Sequence, residues 1–100
     1  MTEAQVQRDV VKLFERAGWI VVRTNAGTAR GGRTKLAPKG WPDLLCVGPK
    51  RVVFVECKAP DGKLSDDQKA CGYWLQKTGH EWYVVDSVET VEWILKGAVR

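Results

Sequence analysis

The sequence predicts an α/β sandwich, a mixed four-stranded sheet with helices packed on both faces. Three observations predict it. Helix-like and strand-like segments follow one another through 100 residues in the order α-β-β-β-α-β-α. The segments Asp43–Val47 (DLLCV) and Val52–Lys58 (VVFVECK) are apolar almost throughout instead of alternating, so both faces of the sheet are expected to be covered. Three helices are enough to cover four strands. A chain of this length fits one domain with one modest core, taken here as residues 1–100.

The elements follow in order. Residues 3–17 read as a helix, because Val6, Val10, Leu13, Phe14 and Ala17 recur at helical spacing. Thr2 with Gln5 three positions on makes a capping box at its start, and Gly18 ends it. Trp19–Arg23 (WIVVR) is short and β-rich, a first strand. Residues 24–40 carry glycines and a proline and read as a long loop, a length that tends to mark either function or disorder. Leu44–Val47 is a second strand opened by Pro42-Asp43, Gly48-Pro49-Lys50 a turn, and Val52–Lys58 a third strand, so these two strands should form a hairpin. Ser65 caps a second helix of about a dozen residues that ends near Gly79. Glu81–Val85 is a fourth strand, and Ser87 caps a last helix with Val88, Val91, Ile94 and Leu95 turned inward.

Composition excludes several classes. At 44% hydrophobic and 28% charged, the chain has neither a disorder signature nor a fibrous one. No apolar run approaches the roughly 20 residues of a membrane span. The N-terminal segment MTEAQVQRDVVKLF is polar and amphipathic, so no secretory leader is expected. Cys46, Cys57 and Cys71 are odd in number and not spaced as zinc ligands. They read as small buried reduced thiols, which points to the cytoplasm of a bacterial or phage-infected cell. The net charge is +4, and it is unevenly placed. Between Glu15 and Asp43 no acid occurs, while Arg16, Arg23, Arg30, Arg33, Lys35 and Lys39 do. That stretch is either a solvated basic loop or a grip for a phosphate backbone.

The chemistry sits on the predicted hairpin. Side chains alternate along a strand, so Glu56 and Lys58 share a face. Alone they read as a salt-bridged strand end. A hairpin turning at 48–50 brings Asp43 beside them. Two carboxylates placed together repel, and one is driven to protonate unless a cation intervenes. Hard oxygen donors suit Mg²⁺ or Mn²⁺, and the carbonyl of Cys57 lies between the two side chains as a further ligand. Lys58 can then orient a water and stabilise charge on a phosphoryl oxygen, which suits in-line attack on a phosphodiester. Glu3 and Gln7 share the inward stripe of the first helix, and Gln68 stands near the start of the second. Each has an ordinary structural reading beside the functional one. Glu3 favours the helix dipole, and Ser65-x-x-Gln68 is a capping box. His80 reads as structural. The five tryptophans read mostly as core; Trp41, next to Pro42-Asp43, could instead stack on a base or pack under the site.

Gly40-Trp41-Pro42-Asp43 followed by Glu56-Cys57-Lys58 resembles the PD-(D/E)xK nuclease signature. Glu3…Gln7, the Arg23-Thr24-Asn25 strand end and Gly62-Lys63-Leu64-Ser65…Gln68 extend the resemblance over about residues 3–95 to the stand-alone VRR-NUC domain. That domain is a branch of the restriction-endonuclease-like superfamily. The resemblance implies an α-β-β-β-α-β core with a flanking helix, and Mg²⁺- or Mn²⁺-dependent hydrolysis of phosphodiesters. It also implies a metal site of Asp43, Glu56, Glu3 and the Cys57 carbonyl, with Lys58, Glu3 and Gln68 as catalytic residues. Arg23, Asn25, Arg30, Arg33, Lys35 and Lys39 would grip DNA. Minimal members are similar to Holliday-junction resolvases, so a homodimer acting on branched DNA is expected. A monomeric flap or nicking nuclease, or a non-catalytic nucleic-acid-binding module of the same fold, is the alternative.

Overall fold

The structure, a computed structural model, describes residues 1–24 and 37–97. Its elements run α1 (Glu3–Arg16), β1 (Ile20–Arg23), β2 (Leu44–Gly48), β3 (Arg51–Cys57), α2 (Asp66–Lys77), β4 (Glu81–Val85) and α3 (Val88–Leu95). This is the expected order, with boundaries moved by a residue or two. The sheet order is β1-β2-β3-β4. β1 and β3 pair antiparallel with β2, while β4 runs parallel to β3 across the α2 crossover.

Local chemistry sets the helix ends. The Thr2 hydroxyl accepts from Gln5 N while the Gln5 side chain accepts from Thr2 N, the expected capping box. Gly18 follows the α1 C-cap with φ +88°, a conformation that costs an L side chain energy. Ser65 and Gln68 close a second capping box on α2. Ser87 precedes α3 as expected, but its hydroxyl makes no cap bond to backbone and shares a hydrogen bond with the Thr90 hydroxyl instead.

The two faces of the sheet are covered unequally. Val6, Val10 and Phe14 of α1 and Val91 and Ile94 of α3 pack on Leu44, Cys46, Val53, Val55, Cys57 and Val85 to form the core. Each such fully buried aliphatic contributes about 1.5–3 kcal/mol. On the opposite face α2 lies over β3 and β4. Gly72 allows this close approach, since a Cβ there would stand 2.2 Å from the Trp82 ring. Nothing among the described residues covers the β1–β2 half of that face, where Ile20, Val22 and Val47 are exposed. The expectation that helices cover both faces therefore holds for one face and half of the other. An apolar run reads the same whether a helix covers it or another molecule does.

Two smaller expectations also change. Trp19 and Trp82 are core, but Trp74 is 57% exposed. Cys46 and Cys57 are buried thiols, whereas Cys71 on α2 is only half-buried.

Candidate active site

The registered pairs of the sheet build the site. Leu44 faces Val55 across the hairpin, so one step further Asp43 faces Glu56, and Glu56 in turn stands beside Val84. Asp43 is 7% exposed and Glu56 1%. The start of β2 is held from two sides. Asp43 Oδ2 accepts from Cys57 N at 2.8 Å, while Asp43 O accepts from Thr24 N at 2.8 Å. The Thr24 hydroxyl also donates to Pro42 O. The site's aspartate is thus tied to β3 by its side chain and to the end of β1 by its backbone.

Glu56 has two different oxygens. Oε2 accepts from Gln68 Nε2 at 3.0 Å. Oε1 is buried and has no hydrogen-bond partner. A buried polar atom left unpaired costs about 1–3 kcal/mol, more when charged. Burial and then the neighbouring Asp43 carboxylate push the Glu56 pKa from 4.5 up to about 8, with Lys58 opposing them. Lys58 Nζ stands 4.0 Å from Glu56 Oε2 and 3.7 Å from Glu3 Oε1. Its backbone N donates to Val85 O at 3.0 Å, which fixes the strand end that carries it.

Hard oxygen donors, mutual repulsion and an orphaned carboxylate oxygen are what a divalent cation relieves, so Asp43 and Glu56 fit Mg²⁺ or Mn²⁺. Among the described residues no three acids, histidines or cysteines are gathered as a ready-made cage. Glu3 stands at the head of the α1 stripe that buries Val6, Gln7 and Val10, half-exposed there, with its Oε1 3.7 Å from Lys58 Nζ. The Cys57 thiol takes no part as a thiolate, because burial first and then Asp43 and Glu56 raise its pKa.

A family model described as archaeal Holliday junction resolvase (Hjc) matches residues 3–95. The chain belongs to the archaeal Holliday junction resolvase family. A solved VRR_NUC domain is similar over 99% of this chain and 100% of its own, with a TM-score of 0.75 and 25% identity. No match was found among curated proteins. The chain is therefore a nuclease of the PD-(D/E)xK kind, and the resemblance carried by Asp43, Glu56 and Lys58 holds for the fold as a whole.

Within this resolvase-family fold, Gln68 satisfies both of its readings at once. Its Oε1 closes the cap on Ser65 N at 2.8 Å while its Nε2 reaches Glu56. Gln7 is buried on α1, away from solvent. Trp41 packs edge-on against Phe54 with ring centroids 5.5 Å apart, the second of the two options open to it. His80 lies against Phe54 and Trp74 and touches the Thr78 hydroxyl and Leu75 O, a structural role. Of the basic residues, Arg23 is exposed at the end of β1. Lys39 is exposed too, but it pairs with Asp67 of α2 at 3.3 Å. Asn25, Arg30, Arg33 and Lys35 lie outside the described residues.

Sequence reasoning missed two features. Thr24 ties the aspartate's backbone, a contact that its place in the Arg23-Thr24-Asn25 strand end did not by itself reveal. Gly40 was read as part of a motif, yet its φ of +82° and its position against Asp67 show a packing role.

Proposed function

We propose that this resolvase-family chain is a Mg²⁺- or Mn²⁺-dependent endonuclease that hydrolyses phosphodiesters in branched DNA, Holliday junctions among them. The observation that carries the reading is the buried Asp43–Glu56 pair with Glu56 Oε1 unpartnered. Two acids beside a polyanion would repel it, so an inert DNA-binding module has no use for them. A bound cation supplies Lewis-acid polarisation of the phosphodiester and offsets the charge that develops on it.

The chain's own residues do the rest. Asp43 and Glu56 hold the cation, with the Cys57 carbonyl between them and Glu3 completing the acidic set. Gln68 fixes the rotamer of Glu56 by holding one oxygen, so the other is presented to the cation. Lys58 orients the attacking water and presents an ammonium to the phosphoryl oxygen on which charge accumulates. Water adds to phosphorus as the bond to the leaving oxygen breaks on the opposite side. Arg23 and Lys39, with Asn25, Arg30, Arg33 and Lys35, grip the phosphate backbone. A four-way junction needs two symmetric cuts, which a homodimer supplies. Three unpaired cysteines fit a reducing compartment, the cytoplasm.

The test is cleavage of labelled four-way junction, flap, duplex and single-stranded DNA with Mg²⁺, Mn²⁺ or EDTA. Metal-dependent paired nicks in the junction support the reading. Cutting confined to flaps or single nicks makes the chain a monomeric flap or nicking enzyme. No cutting of any substrate overturns it.

A further inference from the structure

On the sheet face opposite α2, α1 and the first turn of α3 leave a cavity of about 250 Å³ between them. Val6 and Val10, both buried, form its floor, and Pro60 and Val88 form its walls. This volume falls below the roughly 300–1,000 Å³ of pockets for drug-sized ligands, and it fits one large aliphatic or aromatic side chain. The mouth is acidic. Asp86 and Glu89 are exposed beside it, and Asp9 is half-buried. No lysine or arginine lines the cavity, and none of these three acids forms an ion pair among the described residues. A chain of net charge +4 thus gathers unpaired negative charge around an apolar opening. At the same edge the Ser87 side chain makes no cap bond, so the first N–H groups of α3 have no side-chain partner.

We propose that this cavity is the docking site for a basic segment of a protein partner, which inserts one large apolar side chain flanked by lysines or arginines. The floor takes the side chain out of water, as the pockets that receive interface anchors do. The three carboxylates meet the flanking cations, which adds selectivity and speeds encounter. The free N–H groups of α3 donate to a backbone carbonyl of the docked segment, a role that a ligand fills at an uncapped helix start. A phosphate backbone is repelled by the same acids, so DNA is not the occupant. A free polyamine would satisfy the acids, but it brings no bulky apolar group for the floor. Pro60 lies two residues after Lys58, and Val6 three after Glu3, so the docked partner is held next to the elements that carry the catalytic centre. The proposal does not depend on the catalytic reading, because docking requires neither metal nor DNA.

The test is a titration followed by the methyl NMR signals of Val6, Val10 and Val88, in EDTA and at low salt. The probes are short capped peptides with one leucine or one phenylalanine between pairs of lysines. Controls replace the apolar residue by alanine or the lysines by glutamates, and spermidine and a four-way DNA junction are titrated separately. The leucine or phenylalanine peptide should saturate and move these three valines. The alanine peptide should bind roughly tenfold more weakly or worse, because several buried methylenes are lost. The glutamate peptide should not bind. Asp86→Asn combined with Glu89→Gln changes only exposed side chains, so the fold is kept, which circular dichroism checks. That variant should bind the leucine peptide several-fold more weakly. No saturable binding below about 1 mM overturns the proposal. So does equal binding of the leucine and alanine peptides, or of wild type and the neutralised variant. Spermidine that binds as well as the peptide makes the site one for free amines and overturns it too. The same holds if the junction moves these valines, which would place them on the DNA track, or if concentrating the protein alone moves them, which would make the occupant a second copy.

Discussion

Gln68 and Glu56 are joined by a hydrogen bond of 3.0 Å from the same glutamine whose other amide atom caps α2. The cap sets the rotamer of Gln68, and Gln68 sets which oxygen of Glu56 is left free. Helix initiation and metal-site geometry are thus one piece of local structure. The two roles separate by mutation. Ser65→Ala removes the cap alone and should cost about 1 kcal/mol of stability with cleavage unchanged below the melting range. Gln68→Ala should cost a similar amount and lower cleavage by roughly 10–100-fold, the usual effect of removing a ligand's supporting partner. Melts and single-turnover cleavage measure the two effects. Equal activity in both variants would make Gln68 a cap and nothing more.

Glu56 makes the metal-free protein pH-sensitive. Its folded pKa of about 8 exceeds the ordinary 4.5, so between these values the native state holds a proton that the unfolded chain releases. Stability from this group is fully present below the unfolded value and is lost as pH rises through the folded one. In EDTA, wild-type protein should melt at a lower temperature at about pH 9 than at about pH 5. Glu56→Gln should flatten that dependence and, at the alkaline end, exceed wild type by on the order of a few kcal/mol. Mg²⁺ or Mn²⁺ should raise the wild-type melting temperature and leave Glu56→Gln nearly unmoved. A wild-type curve that is flat with pH in EDTA contradicts the buried carboxyl.

Lys58 lies within 4.0 Å of both Glu3 and Glu56 but is 13% exposed along its side chain, so it belongs to the site more than to solvent. Lys58→Ala should lower single-turnover cleavage by roughly 10²–10³-fold, the range for losing one preorganised donor to a developing oxyanion. DNA affinity measured in EDTA should change little. Lys58→Arg should recover part of the rate, because the charge persists while the planar fork does not match a point ammonium. Glu3→Gln should cost only several-fold, since its pairing with Lys58 is half in water. A Lys58→Ala protein that cuts at the wild-type rate removes the residue from the chemistry.

What was legible in the sequence follows the range of the interaction. Element order and the Thr2 and Ser65 capping boxes depend on residues three or four apart, and they read off directly. The hairpin carried that reach further, because a turn at 48–50 sets Asp43 opposite Glu56 by counting. The tie of Thr24 to Pro42 and Asp43, and the Lys39–Asp67 pair, were not legible. Each joins segments whose approach only the tertiary fold decides. Glu3 was placed by helical periodicity on the buried stripe. At the helix start that stripe opens to solvent, so Glu3 is half-exposed there while its carboxylate reaches Lys58 at 3.7 Å.

Gly40 couples the loop before Asp43 to the helix that carries Gln68. Its φ is +82°, and a Cβ there would stand 2.3 Å from Asp67 O, a backbone atom that cannot swing aside. Gly40→Ala must therefore either twist the loop or push the first turn of α2 away, which withdraws Gln68 from Glu56. The left-handed conformation alone costs an L residue about 1–2 kcal/mol, and the clash adds to it. Gly79 is the control. Its φ is +94° but nothing lies within 4 Å of its Cβ position, so Gly79→Ala carries the conformational cost without the clash. Both variants should melt lower than wild type, Gly40→Ala by the larger margin. Only Gly40→Ala should lose cleavage, by tenfold or more well below its melting temperature. Equal cleavage by the two alanine variants would show that the loop and α2 move independently, and that the order of the site does not depend on their contact.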